Sequence, residues 1–429
     1  MIVLVGAIAD DITGATDLCL MLSREGLRTV QVMGTPAPDQ DFPIADAVVI
    51  ALKSRSIAAP EAVDMSLSAA RALLAAGAEQ LLFKYCSTFD STDAGNIGQV
   101  TEALMGLTGT DITIACPAFP AAGRTIYKGH LFVGNDLLSD SPLKDHPLNP
   151  MHDANLVRVL GRQTALPVGL VDIATIWQGE AAIRAAITAH CAAGRRILIV
   201  DTLKNADLHT IGAACADMRL VTGGSGIGMG LAANFVKAGR VTPRAPQPRM
   251  QAQPGRSVIL AGSCSVATRG QIAAAQAAGL PSLALDVAAL ADGRQRAADV
   301  AEWAVQQAAS TTPVIYSSTT PEALQAIQGR LGQHESGALV ESVLADVARR
   351  LRDEKFTRFL IAGGETSGAV VASLGVTMLE IGPEIDPGVP WTRSLGTPDL
   401  ALALKSGNFG TPDFFLKAWS LLETEHADV

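Results

Sequence analysis

The chain has 429 residues and a formal charge of -9, with 48% hydrophobic and 17% charged residues. That length exceeds one ordinary core and predicts two or three globular domains. The acidic balance excludes the electrostatic footprint of a nucleic-acid binder or of a protein held on an anionic membrane, and no apolar run reaches membrane-spanning length.

The first strand is read from Val3-Leu4-Val5-Gly6-Ala7-Ile8-Ala9, an apolar run long enough to be buried on both faces. It runs out into Asp10-Asp11-Ile12-Thr13-Gly14, and a helical pattern over 15–24 follows. Ligands in open α/β sheets bind outside the carboxyl ends of strands, and two charges there are costly to bury without a partner. Asp11 or Thr13 can cap the helix, but capping accounts for one carboxylate and not two. Further strands are predicted at 30–33, 47–52, 80–84, 112–116, 168–171, 196–201 and 219–221, with amphipathic helices such as 60–76 and 180–193 between them. Basic residues close three of these strands: Arg55, Lys84 and, just beyond the third, Arg124. Asp90, Ser91 and Thr92 follow Lys84. Such cations suit the carboxylate of a small acid, and the polar groups suit its hydroxyls. The segment from Gly129 through His146 to Met151 is too polar and proline-rich for a core element, and reads as a lid or as an arm between the subunits of a homodimer.

A proline-rich, acid-free stretch over 240–256 reads as a linker. The α/β pattern restarts behind it, with strands at 258–261, 282–286, 314–317, 359–362, 378–381 and 400–405. Helices are expected at 297–309, 336–352 and 413–422. The expectation is two tandem three-layer α/β domains with mostly parallel sheets and an interdomain cleft: 1–239, the linker 240–256, and 257–429.

Glycine clusters mark three strand ends: Gly223-Gly224-Ser225-Gly226, Gly262-Ser263 and Gly363-Gly364-Glu365-Thr366. Lys405-Ser406-Gly407 supplies another donor-rich turn. Glycines admit an anion to the backbone, and a following helix points free N–H groups at it. A P-loop is absent. Gly228-Met229-Gly230-Leu231-Ala232-Ala233 fits a loose dinucleotide pattern, but no acidic residue stands between Asp217 and Asp286 to take a ribose. The six cysteines, Cys19, Cys86, Cys116, Cys191, Cys215 and Cys264, form no Cys-x-x-Cys pair. With Met1 leading directly into a strand, they predict a cytoplasmic protein. The histidines show no metal-ligand spacing, and metal ligands stay unassigned.

Ile8-Ala9-Asp10-Asp11-Ile12-Thr13-Gly14-Ala15 resembles the opening of the four-carbon acid sugar kinases, an ATP-dependent family. Asp90-Ser91-Thr92, Thr222-Gly223-Gly224-Ser225-Gly226, Gly262-Ser263, Gly363-Gly364-Glu365-Thr366-Ser367 and Leu404-Lys405-Ser406-Gly407-Asn408-Phe409-Gly410 extend the resemblance over nearly the whole chain. Within the family, Phe83 to Thr92 and Gly95-Asn96-Ile97-Gly98 are similar to the subgroup that takes 3-oxo-tetronates. Asp93-Ala94 stands where threonate and erythronate kinases carry Leu-Arg. The resemblance implies a sugar-acid-binding first domain and a nucleotide-binding second one. It implies ATP and Mg²⁺ as cofactors, and Ser263, Gly363, Gly364, Glu365, Thr366 and Gly407 as the nucleotide set. Asp10, Asp11, Arg55, Lys84 and Asp90 would line the substrate side. The strand-end positions add Asp10 or Asp11 as the catalytic carboxylate and Arg124 as a further substrate contact. The implied reaction places a phosphoryl group on the C4 hydroxyl. An NAD-linked dehydrogenase and a non-catalytic sugar-acid sensor are the readings from other classes.

Overall fold

The structure is a computed structural model that describes residues 3–37, 40–145, 149–245, 248–317 and 332–424. The chain divides into two compact units, Met1–Ala245 and Pro246–Val429.

In the first unit, β1 (Val5–Ala9), β2 (Thr29–Met33), β3 (Ala47–Ala51), β4 (Gln80–Lys84), β5 (Thr113–Cys116), β9 (Val168–Val171), β10 (Ile197–Val200) and β11 (Leu220–Gly223) lie in the order β2-β3-β1-β4-β11-β5-β10-β9. Every pairing among them is parallel. β1, β3, β4, β5, β10 and β11 are buried throughout, as their near-continuous apolar sequences require. The helices fall into two packed sets, one of Ile12–Arg24, Ile173–Ile176, Glu180–Ala192, Asn205–Ala214 and Ser225–Lys237, the other of Ala59–Ala75, Ile97–Thr108 and Leu156–Gly161. These are the covering layers of a doubly wound sheet. After β1 the chain builds outward through β2 and β3; after β4 it builds the other way. The order therefore reverses between β1 and β4, the position where such sheets open a crevice at their carboxyl ends.

The helix expected from residue 15 begins at Ile12, because Asp11 caps it. Gly228 and Gly230 lie inside the helix Ser225–Lys237. A Cβ on Gly228 would stand 2.5 Å from Leu18 Cδ1, and one on Gly230 would stand 2.2 Å from the Leu208 carbonyl oxygen. These glycines serve helix packing, which removes the dinucleotide reading of that pattern.

Part of the stretch read as a lid or arm is regular. β6 (Arg124–Tyr127), β7 (His130–Val133) and β8 (Asp136–Leu137) form an antiparallel meander. Its turn uses Lys128 and Gly129 at φ of 52° and 73°. Asp201 pins that turn by accepting from Lys128 N and Gly129 N, both at 2.8 Å, and from Ile173 N at 3.0 Å. His146, within the same stretch, lies outside the described residues.

In the second unit, β13 (Arg256–Ala261), β14 (Ser282–Ala284), β15 (Val314–Tyr316), β16 (Phe356–Ala362) and β19 (Ala401–Lys405) run parallel in the order β14-β15-β13-β16-β19. β18 (Val389–Ser394) and β17 (Met378–Asp386) continue the sheet, β18 antiparallel to both its neighbours. The sequence reading has no strand at 389–394, since Pro390 and the polar Thr392, Arg393 and Ser394 mask its apolar half. Two further expectations are corrected. The linker contains β12 (Met250–Ala252), which pairs with β20 (Leu422–Thr424). The helix expected over 413–422 is helical only at Phe414–Lys417 and passes through a 3-10 turn at Ala418–Leu421 into that strand. Buried Phe414 and Phe415, and the bond from Trp391 Nε1 to the Ala418 carbonyl at 2.8 Å, fix this path.

Among the described residues, no helix is long and apolar enough to cross a membrane.

Candidate active site

The β1–β4 crevice gathers five of the six predicted acid-side residues. Parallel register aligns Ala9 with Ala51 and with Lys84, so Asp10 and Asp11 emerge between the ends of β3 and β4. Arg55 lies in the turn after β3, and the backbone N–H groups of Ser54 and Arg55 donate to the Asp10 carbonyl at 3.0 and 3.2 Å. Its guanidinium forms a two-pronged pair with Asp10, Nε to Oδ2 at 2.9 Å and Nη2 to Oδ1 at 2.8 Å. Nη2 also donates to Asp11 Oδ1. Nη1 is the least engaged nitrogen, its nearest carboxylate being Asp90 at 3.8 Å. Lys84 Nζ meets Asp11 Oδ1 at 3.3 Å. Asp11 Oδ2 accepts from Gly14 N at 3.0 Å and Thr13 Oγ1 at 2.8 Å. One oxygen of Asp11 thus caps the helix, and the other faces the cations.

Gly14 is needed for this arrangement, because a Cβ there would stand 1.8 Å from Lys84 Nζ. Asn96 holds the Arg55 turn in place by donating to the carbonyls of Ser54 at 2.8 Å and Ile57 at 3.2 Å. Thr88 Oγ1 donates to Asp90 Oδ1 at 2.7 Å. The sequence reading includes neither Asn96 nor Thr88 as a site residue. Both sit in the polar run after β4, and only the fold shows what they support.

The two adjacent carboxylates are held differently. Burial pushes Asp10 above the usual range, an effect that Arg55 only partly offsets. Burial works against the Asp11 charge as well, but Arg55 and Lys84, helped by Gly14 and Thr13, hold it well below the usual range. Asp11 is therefore a permanently ionised carboxylate with 22% of its side chain exposed, against 4% for Asp10. Lys84 is buried, yet Asp11 and Asp10 outweigh that burial and keep it charged.

Asp17, one and a half turns along the capped helix, is buried beside this network with Oδ1 unpartnered. Burial lifts it to about 6, with Ser225 opposing. A raised folded-state value means the fold favours the protonated form. The penalty is fully present above about pH 6 and disappears as the pH falls through the ordinary aspartate value near ~4. Asp17→Asn is therefore expected to exceed the wild type in stability at pH 8 by on the order of 2–3 kcal/mol, shrinking below ~1 kcal/mol at pH 4. Urea unfolding of both proteins at the two pH values measures it. Equal gaps at both would contradict the account.

Arg124 stands apart from the network. Its guanidinium donates to the Ala122 carbonyl, and among the described residues it forms no ion pair. Asp93 pairs with Arg162 at 3.2 Å, and Arg162 also reaches Asp153 at 3.4 Å. These residues, with Ser91, Thr92 and His152, line a cavity of about 390 Å³ next to Asp90.

The glycine loops of the second unit converge. β13, β16 and β19 are neighbours, with Ala261 aligned to Ala362 and Ala362 to Lys405, so Gly262-Ser263, Gly363-Gly364 and Ser406-Gly407 leave one edge side by side. A Cβ on Gly262 would stand 2.1 Å from Thr366 Oγ1, one on Gly363 2.9 Å from the same atom, and one on Gly407 2.5 Å from Ser263 Oγ. Gly363 has φ 132° and opens the ten-residue helix Gly364–Ser373. The result is a cradle of backbone and hydroxyl groups that side chains would fill, the donor set that suits phosphate. Gly223, Gly224 and Gly226 are different. Cβ atoms there would press on the carbonyls of Cys116, Pro117 and Ala118 at 2.3, 2.5 and 2.7 Å, so that cluster serves packing rather than an anion.

Comparison with known proteins follows the same division. Residues 5–231 match a family described as a sugar-binding N-terminal domain, and 258–415 match a nucleotide-binding C-terminal domain. The chain is 54% identical to a 3-oxo-tetronate kinase of Pseudomonas fluorescens, over 97% of this chain and 96% of that one. It is 52% identical to a 3-oxo-tetronate kinase of Burkholderia multivorans, over 98% and 97%. Among solved structures, a Salmonella typhimurium protein matches with a TM-score of 0.87 and 42% identity, covering 97% of this chain and 99% of that one. A Haemophilus influenzae protein matches with a TM-score of 0.78 and 40% identity at the same coverage.

Proposed function

The chain belongs to the family built from a sugar-binding N-terminal domain and a nucleotide-binding C-terminal domain, and we propose that it is an ATP-dependent kinase for the C4 hydroxyl of a four-carbon sugar acid, 3-oxo-tetronate foremost. The observation that carries this reading is the presence, in one chain, of a charged strand-end site in the sugar-binding half and a phosphate cradle in the nucleotide-binding half. Identity of 54% and 52% to 3-oxo-tetronate kinases, over nearly the full length, supports the choice of substrate.

Phosphoryl transfer to an alcohol depends on positioning and charge stabilisation, because its transition state is loose and the hydroxyl proton departs late. An ionised, reachable carboxylate that orients the hydroxyl is then sufficient, and Asp11 fits that part. Asp10 and Lys84 are positioning residues. Asp10 fixes the guanidinium of Arg55, and Lys84 holds Asp11. Arg55 Nη1, the nitrogen with a free edge, takes an oxygen of the acid, and Asp90 takes a hydroxyl.

In the second unit, the N–H groups of the Gly262–Ser263, Gly363–Thr366 and Gly407 loops would hold the nucleotide's phosphates, with the Ser263 and Thr366 hydroxyls as further donors. ATP supplies the phosphoryl group, and Mg²⁺ neutralises charge on it. Among the described residues, no group of three or more His, Cys, Asp or Glu is placed to hold a metal. That suits a Mg²⁺ carried mainly by the phosphates with one or two carboxylates. The six free thiols fit a reducing compartment, and the cytoplasm is the proposed location.

Purified protein with ATP and Mg²⁺ should release ADP fastest with 3-oxo-tetronate in a panel that includes threonate, erythronate and 3-oxo-isoapionate. A faster rate with threonate or erythronate would reassign the substrate.

A further inference from the structure

Lys405 ends β19 with no exposed surface, and among the described residues no carboxylate pairs with it. Its Nζ donates to Thr268 Oγ1 at 3.0 Å, to the Ser406 carbonyl at 3.1 Å and to the Gly407 carbonyl at 2.9 Å. All three acceptors are neutral. Lys84 is buried to nearly the same degree, but Asp11 compensates it. A buried ammonium without a counter-charge costs several kcal/mol, and this one stands under the edge where the three glycine loops converge.

Two charged groups on the surrounding elements are engaged elsewhere. Arg269 donates to the Cys264 carbonyl at 2.9 Å, and Asp386 pairs with Lys417 at 2.5 Å. Ser265 Oγ and Thr268 Oγ1 both donate to the Gly407 carbonyl, at 2.5 and 3.0 Å, so the loop that Lys405 holds is fixed from two sides.

We propose that Lys405 is the buried counter-charge for the nucleotide's phosphates, acting through the Ser406–Gly407 loop, and that it takes up a proton when the nucleotide binds. The inference rests on the nucleotide reading of the second unit. Burial pushes Lys405 down to about 7, and its neutral amine form would keep two of the three N–H donations. An anion nearby favours the charged form and raises that value. Because the bound state then holds more protons, affinity falls as the pH rises above about 7.

Titration calorimetry of ADP into the full chain at pH 8, in Tris and in HEPES, reads the proton from the difference in heat. The expected result is uptake approaching about one proton per ADP, with affinity falling on the order of tenfold between pH 7 and pH 9. Lys405→Arg, which stays charged, should bind ADP without uptake and with affinity flat over that range. Lys405→Met should bind more weakly, also without uptake. Equal heats in both buffers while the wild type binds ADP would overturn the proposal, as would uptake that persists in either variant. Failure of the wild type to bind ADP at all would remove the nucleotide reading, and this proposal with it.

Discussion

Arg55→Met is expected to abolish turnover of the sugar acid and to destabilise the protein by roughly 3–5 kcal/mol. Arg55 pairs with both Asp10 and Asp11 and approaches Asp90 at 3.8 Å. Without it, Asp10 is left buried without its ion-pair partner, while Asp11 keeps Lys84 and the Gly14 and Thr13 donors. The conservative change isolates function from folding. Arg55→Lys restores a charge but not the two-pronged geometry with Asp10, since an ammonium is a point donor. That variant should regain much of the stability while activity stays down by on the order of 10²-fold. Chemical unfolding and ADP release on the same preparations measure both quantities. Near wild-type turnover in Arg55→Lys would show that charge alone matters and that the fork is incidental.

Gly363→Ala is expected to raise the KM for ATP at least about tenfold, equivalent to ~1.4 kcal/mol, and to leave the KM for the sugar acid unchanged. The backbone at φ 132° suits glycine, and strain at such a position costs about 1–3 kcal/mol. The added Cβ would also stand 2.9 Å from Thr366 Oγ1 and 3.3 Å from Ser263 N, both in the proposed phosphate set. An equal rise in both constants would indicate general distortion. An unchanged ATP constant would mean that the cradle does not hold phosphate.

Much of this site was legible in the sequence, because parallel strands are buried on both faces and announce themselves as apolar runs. Where such a run stops at Asp10-Asp11, at Lys84 or at Gly363, the strand end and its chemistry are read together. Long-range partners leave no local signal. Lys405 was visible as a strand residue, but its isolation depends on Thr268, 137 positions away. Asn96 likewise became a support for Arg55 only through a contact across 42 positions. The glycine clusters divided for the same reason. Gly223 to Gly226 and Gly262 to Gly363 look alike in sequence, and only the neighbouring atoms separate a packing contact from a cradle. The β6–β8 meander went unread because it is short and polar, and because its turn places a lysine at positive φ.

The central claim is that this chain moves a phosphoryl group from ATP to the C4 hydroxyl of a 3-oxo-tetronate. Phosphorus NMR of a reaction of the purified protein with ATP, Mg²⁺ and 3-oxo-tetronate tests it most directly. The account predicts one new phosphomonoester, coupled to the C4 protons, formed in step with ADP. No substrate-dependent ADP, or a phosphate on another oxygen, would contradict it.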